Sequence, residues 1–387
     1  MQNFTFHNPT EIIFGKHTIR EIGAKASYFG DRVLLVYGQG SIKTNGVYSQ
    51  VIESLEKAGL YVTEFGGVKP NPILSHLEEG VLLAKRKKIG LIVAVGGGSV
   101  LDEAKAIAAG TRTDGEVWDF FVNKATIQDA MPLLAVLTLS ATGSEMNPTA
   151  VVTNEVHQKK FEISSPLLFP KTSILDPTTL YSVPNNYTAY SAVDTISHVI
   201  EGYFTGDDPS TPIQDRLVEG IVKSTMESTE ICLRDPENYQ GRATMMWAAT
   251  LALNGLPVAG IGEFNFPNHM IEHSLSAIYD IPHGAGLSIV IPGWMKFSVG
   301  DSPEKFAQFA HRIFGMATNS TEKDAEAGID ALKAWFEKIG SPVSLSDVNI
   351  PESDIEKIAE NATMLANKWE MNDYTKDVII QVLRLCC

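Results

Sequence analysis

The strongest constraint in this chain is a repeated pattern: a short apolar run, a turn, then apolar residues at helical spacing. Val33-Leu34-Leu35-Val36-Tyr37 enters Gly38-Gln39-Gly40-Ser41, after which Val47, Val51, Ile52, Leu55 and Leu60 recur at a helical period. Tyr61 to Phe65 reads as a second strand, followed by the loop from Gly66 to Pro72 and a helix through Leu77, Val81, Leu82 and Leu83. Leu91 to Val95 is a third strand, Ser99 to Ala109 a helix, and Leu133 to Leu139 a fourth strand. Near-continuous apolar strands belong to parallel sheets covered on both faces, and their crossover helices wind right-handed. The pattern therefore predicts an α/β domain over residues 1–183, a doubly wound, Rossmann-like parallel sheet with its ligand crevice at the strand carboxyl ends.

Pro177, Pro184, Asn185 and Asn186 punctuate the chain where this pattern stops. Between Thr188 and Cys387 the periodicity is helical, with no alternating strand and no internal repeat. An all-α domain over residues 184–387 is expected, meeting the first at a cleft. A length of 387 residues with 44% apolar content agrees, being too long for one ordinary core and too apolar for disorder.

Net charge and cysteine usage narrow the function. With 31 Lys+Arg against 46 Asp+Glu, the acid excess argues against nucleic-acid and membrane-surface partners. Cys232, Cys386 and Cys387 are odd in number and could not staple the fold, which suits a reducing cytosol. The first nine residues lack a basic leader and a continuous apolar stretch, and no apolar run approaches the roughly 20 residues a membrane span requires. A cytoplasmic enzyme is expected.

Phosphate chemistry is written into the first half. The third strand enters Gly96-Gly97-Gly98-Ser99 and then a helix containing Asp102 and Lys105. Glycines let backbone N–H groups approach an anion, and a helix amino terminus adds a favourable dipole, so a pyrophosphate fits there. The plainer reading is a tight turn with a serine cap, although three consecutive glycines cost more backbone entropy than that requires. The first turn does not complete Gly-x-Gly-x-x-Gly, because Lys43 stands where the third glycine belongs. It carries no carboxylate at Gln39, Gly40 or Ser41 to bind a ribose 2′-hydroxyl or repel a 2′-phosphate, which points to NADP(H) over NAD(H). Lys43 reads equally as a phosphate-tolerant cation and as a solvated helix-face lysine.

Metal chemistry is written into the second. Asp194 and His198 stand four apart on one helix face, as do His269 and His273, and Pro282 stops the latter helix so that His283-Gly284 can fold back toward His269. One acid and three histidines from this group give an oxygen and nitrogen ligand set suited to Fe(II) or Zn(II), with a position left for substrate or water. Singly, each histidine is more often structural; the two paired spacings and the His-Gly turn give the metal reading its weight. His7, His17, His76, His157 and His311 have no comparable neighbours and are read as structural or exposed.

With these motifs in view, the chain resembles the iron-containing (group III) alcohol dehydrogenases, whose fold is shared with glycerol dehydrogenase and dehydroquinate synthase. The likeness covers almost the full length: Phe14-Gly15, Gly67 to Pro72, Gly96 to Lys105, Thr138 to Glu145, Asp194 with His198, and His269, His273 and His283. Through Tyr37 to Ser41 and Trp247 to Gly255 it is most similar to the NADPH-dependent butanol dehydrogenase or aldehyde reductase branch. The resemblance implies that Asp194, His198, His269 and His283 bind the metal, while His273 is the non-ligand histidine near the substrate. It implies a pyrophosphate clamp at Gly97-Gly98-Ser99 beside the Gly38-Gln39-Gly40-Ser41 turn. Asp102 would sit on the nicotinamide side, and Asn71, Thr138, Thr142 and Lys160 would line the cofactor. Gln39 replaces the acid of NAD-preferring members. A primary alcohol or aldehyde, NADP(H), a divalent metal with Fe(II) foremost, and a homodimer are then expected. Two rivals share the fold. A dehydroquinate synthase-like lyase needs a Lys/Arg cluster that is missing between Asp194 and His283, and a glycerol dehydrogenase-like polyol oxidoreductase fits less well with Gln39 and the third histidine.

Overall fold

In the computed structural model, which describes residues 1–318 and 320–387, parallel strand pairing dominates the first half. The strands are β1 (Glu11–Phe14), β2 (Arg32–Tyr37), β3 (Tyr61–Gly66), β4 (Leu91–Gly96), β5 (Leu133–Leu137), β6 (Thr149–Asn154), β7 (Lys159–Ser164) and β8 (Thr172–Leu175). Six of them form one sheet in the order β1-β8-β5-β4-β2-β3, every pair parallel. Val33, Leu35, Val93, Val95 and Val136 are buried in one core with Val51 and Leu55. Leu34, Val36, Ile92 and Ala94, on the opposite face by alternation, are also fully buried. Burial on both faces is why these strands read as unbroken apolar runs.

Sequence periodicity missed the short edge strand β1, the four-residue β8 and the antiparallel hairpin of β6 and β7. The hairpin's residues alternate too weakly to register, yet it places Lys160. Helices α1 (Val47–Lys57), α2 (Leu74–Lys87) and α3 (Gly98–Gly110) link the central strands. The chain runs from β2 outward to β3, then crosses back to place β4 on the other side of β2. The turns after β2 and β4 thus diverge from adjacent strands, the arrangement that opens a crevice in doubly wound sheets. Tyr37 pairs with Val95, which sets those two turns at one level of the sheet's carboxyl edge.

The second half is helical: α4 (Asn185–Thr205), α5 (Pro212–Arg234), α6 (Tyr239–Ala252), α7 (Pro267–Tyr279) and α8 (His283–Ser298) precede further helices to the end of the chain. Among the described residues no helix is long and apolar enough to cross a membrane. Contacts divide the chain into a helical unit of Met1–Phe6, Pro184–Arg234 and Gly255–Cys387, and a sheet unit of His7–Val183 and Asp235–Asn254. Two segments thus cross the single boundary at 183/184 expected from the sequence. Residues 1–6 join the helical unit, where the Met1 amino group pairs with Asp208 at 2.8 Å and Gln2 N donates to Gly260 O at 2.9 Å. Helix α6 joins the sheet unit: Ser140 Oγ donates to Met246 O at 3.3 Å, Thr250 donates to the buried Glu145 carboxylate, and Trp247 packs edge-on against Phe14.

Candidate functional site

In the sheet unit, the residues singled out for a dinucleotide follow the carboxyl ends of neighbouring strands. Gly38 to Ser41 follow β2, Asn71 lies beyond β3, Gly97 to Ser99 follow β4, and Thr138 follows β5. A Cβ on Gly98 would lie 2.3 Å from Thr142 Oγ1, so the turn after β4 admits only glycine there. The first N–H groups of a helix have no intrahelical acceptor, and at α3 these are the amides of Gly98 and Ser99, chemically suited to an anion. The Ser99 hydroxyl donates to Pro70 O, tying this turn to the Pro70-Asn71-Pro72 loop. Thr138 N donates to Gly96 O at 2.9 Å, and the buried Lys160 donates to Asn71 Oδ1 at 3.2 Å. Asp102 is committed inside the unit: Oδ1 accepts from Ser144 Oγ at 2.6 Å and Oδ2 from Val151 N at 3.1 Å. Beside it, burial lowers the Lys105 ammonium to about 8, although it donates to Ser144, Asn147 and Thr149.

In the helical unit, α4 presents Asp194, His198 and Glu201 on one face, α7 presents His269, Glu272 and His273, and His283 opens α8. Asp280, in the left-handed conformation at φ 52°, ends α7, and Pro282 starts the next helix at once, folding His283 back. The fold-back is tight: a Cβ on Gly284 would meet Tyr190 O at 2.1 Å, so glycine lets α8 press onto the α4 backbone.

These helices aim their side chains at one point. Asp194 Oδ1 stands 3.6 Å from Nε2 of each of His198, His269 and His283. Donors arranged tetrahedrally about 2.0–2.2 Å from a cation lie about 3.3–3.6 Å from one another. Asp194 Oδ1 and His269 Nε2 are buried without a hydrogen-bond partner. Orphaned polar atoms are costly in an interior, and a divalent ion among them would satisfy both. Burial works to raise the Asp194 carboxyl, but the facing imidazoles outweigh it and hold it below the usual range. Burial lowers His198 to about 3, keeping its ring neutral as a metal ligand must be. For His269 burial is outweighed by the Glu201 and Asp194 carboxylates, which lift it to about 10, so a cation bound there takes the place of the proton on Nε2. The residues present fit a divalent cation.

Two carboxylates that sequence reading passed over complete the arrangement. Glu201 Oε2 lies 2.6 Å from His269 Nδ1, and Glu272 Oε2 is hydrogen-bonded to His283 Nδ1. Each orients its imidazole by taking the Nδ1 side and leaving Nε2 directed inward, the role outer carboxylates play around metal-binding histidines. The signal was present: Glu201 is three residues after His198 and Glu272 three after His269, both on the ligand face. Glu272, His273 and His283 form a second close group of donors, but Glu272 Oε1 also accepts from Ser276, so its oxygens are engaged within the protein. His273 is buried with its ring 5.6 Å from that of His283 and 5.8 Å from that of Trp369.

Residues 9–177 match the family described as iron-containing alcohol dehydrogenase, and residues 188–386 match its C-terminal family. The chain belongs to the iron-containing alcohol dehydrogenases. It is 42% identical to a probable NADH-dependent butanol dehydrogenase of Bacillus subtilis, with 99% of each chain covered. Identity to the NADPH-dependent aldehyde reductase YqhD of Escherichia coli is 37%, covering 98% of each. Among solved structures, an NADH-dependent butanol dehydrogenase A from Thermotoga maritima superposes with a TM-score of 0.96 at 45% identity, covering 100% of this chain and 99% of that one. The parallel sheet followed by an all-helical region is the architecture of these iron-containing alcohol dehydrogenases, the dehydroquinate synthase-like fold expected above.

Proposed function

We propose that the protein is a metal-dependent alcohol dehydrogenase or aldehyde reductase that moves hydride between a nicotinamide dinucleotide and a primary alcohol or aldehyde such as butanol or butanal. The observation that carries this reading is the single Asp194 oxygen 3.6 Å from three imidazole nitrogens. The names of the relatives, butanol dehydrogenases and an aldehyde reductase, support the substrate class. In this reading residues 1–183 chiefly bind the dinucleotide and residues 184–387 the metal and substrate. The family resemblance supports a homodimer in the cytoplasm.

Asp194, His198, His269 and His283 would hold the cation, Fe(II) first and Zn(II) next by donor type. When bound, such an ion supplies Lewis-acid polarisation of an alcohol or aldehyde oxygen. Glu201 and Glu272 hold two of the imidazoles in the tautomer that leaves Nε2 free. The amides of Gly98 and Ser99 bind the pyrophosphate, with Asn71, Thr138, Thr142 and Lys160 lining the cofactor. The His273 ring accepts the alcohol proton in oxidation and returns it in reduction. Gln39 in place of an acid supports NADP(H), while the relatives' names divide between NADH and NADPH. Both cofactors are therefore read as accepted.

Absorbance at 340 nm with butanal and NADPH or NADH, on protein loaded with Fe(II) or Zn(II), is the direct assay. Turnover is expected with either cofactor; none with either metal present overturns the reading. His273→Ala should keep its metal while losing rate and changing its pH profile, whereas His269→Ala should lose metal. Equal metal loss in both would refute that division of roles.

A further inference from the structure

A charge cluster at the carboxyl ends of β2 and β3 takes no part in the reaction proposed above. Glu64 on β3 gathers three donors: Tyr37 Oη at 2.7 Å and Lys43 Nζ at 2.9 Å on Oε2, and Tyr48 Oη at 2.7 Å on Oε1. Lys43 Nζ also lies 4.8 and 4.7 Å from the ring centres of Tyr37 and Tyr48. The bonds from Lys43, then Tyr48 and Tyr37, pull the Glu64 carboxyl down to about 2, and Tyr37 and Glu64 push the Lys43 ammonium up. Both are therefore charged at neutral pH. Tyr37, Gln39, Lys43 and Gly66 are among the residues lining a cavity of about 470 Å³ beside the Gly38-Gln39-Gly40 turn.

Sequence alone left Lys43 either as a cation for a 2′-phosphate or as a solvated helix-face lysine; in the structure it is exposed on the short helix Ser41–Thr44 with its charge matched by Glu64. A phosphate approaching the turn meets a pair with no net charge. We propose that Glu64 sets this enzyme's tolerance for the 2′-phosphate, cancelling Lys43 so that dinucleotides with and without that group bind alike. The proposal rests on reading the turn after β2 as the adenosine-ribose site. Selectivity then depends on the sum of the two charges. Removing the carboxylate leaves a net cation that favours the phosphate, removing the ammonium leaves a net anion that repels it, and removing both restores the balance. At solvent-exposed separations of several ångströms, each unit of charge is worth roughly fivefold in affinity for a phosphate.

Calorimetric titration of the full-length protein with 2′,5′-ADP and 5′-ADP tests this without turnover. The affinity ratio, 2′,5′-ADP over 5′-ADP, should rise about fivefold in Glu64→Gln, fall by a similar factor in Lys43→Met and return to the parent value in the double variant, with these differences shrinking in about 0.5 M salt. An unchanged ratio in Glu64→Gln overturns the proposal, as does a double variant that behaves like Lys43→Met. If Glu64→Gln fails to fold, Lys43→Met and the double variant decide by the same ordering. Gln39→Asp separates the two layers. A ratio lowered by Gln39→Asp but unmoved by Glu64→Gln sinks only the role of Glu64, whereas a ratio unmoved by either sinks the reading of the turn as well.

Discussion

At the carboxyl edge of the sheet, the groups offered to a ligand are backbone amides and a balanced charge pair, while in the helical unit they are the tips of buried side chains. Around Gly98 the side chains are occupied with one another: Asp102, Lys105, Ser144 and Asn147 bond internally, and the Gly98 and Ser99 amides have no acceptor within their own helix. Around Asp194 the reverse holds. The helices satisfy their own backbone, and Asp194 Oδ1 and His269 Nε2 are left buried and unpaired. A site built from backbone survives most side-chain changes and is undone by a misplaced Cβ. A site built from side-chain atoms fails when any one of them is removed.

The largest effect expected from that contrast is on Asp194→Ala. Loss of the shared oxygen should weaken the cation by more than the roughly 100-fold upper figure for an outer-shell partner, while 5′-ADP affinity stays within about twofold. Elemental analysis and calorimetry on the same sample measure both, and a parallel loss of 5′-ADP binding would break the contrast. Glu201→Gln should come next, weakening the cation about 10- to 100-fold in chelator competition, because His269 loses its anionic partner but keeps its place.

Gly98→Val acts in the opposite sense. Its side chain would enter the space of Thr142, so destabilisation by about 1–3 kcal/mol and at least a tenfold loss of 5′-ADP affinity are expected, with metal content unchanged. Denaturant melts and calorimetry check this.

The smallest effect concerns His76, stacked on Phe65 and bonded to the buried Glu103 at 2.6 Å. Its bond to Glu103 outweighs burial and raises its pKa above the ordinary 6.5. The stabilisation is thus complete below pH 6.5 and lost as pH rises through the raised value, and burial of Glu103 acts in the same direction. Thermal midpoints between pH 6 and 9 should fall more for the parent than for His76→Gln. The difference should amount to less than about 1 kcal/mol, since this ring is partly solvated.

The same contrast explains what the sequence made legible. Strands buried on both faces announced themselves as apolar runs, so β2, β4 and β5 were readable, and the half-exposed edge strand β3 was read from its place between two helical segments, while β1 and β8 were too short and the Lys160 hairpin too weakly alternating. Asp194 with His198 and His269 with His273 stood out because helical spacing turns sequence distance into facing direction, and His283 through the turn after Pro282; the family resemblance then implied the set Asp194, His198, His269 and His283. Glu201 and Glu272 obey that spacing and passed unnoticed only because glutamates are common on helix surfaces; nothing in composition shows that these two are fully buried. The pairing of Lys43 with Glu64 joins the short helix after β2 to β3 through tertiary contact, beyond the reach of any local pattern.

Two neighbouring donor groups lie in this unit, Asp194 with His198 and His269, and Glu272 with His273 and His283. Anomalous diffraction from a crystal of the metal-loaded protein, collected at that metal's absorption edge, distinguishes them. The expected result is one peak about 2.0–2.3 Å from Asp194 Oδ1 and from Nε2 of His198, His269 and His283. A peak bound by Glu272 and His273, or none near Asp194, would contradict the central claim.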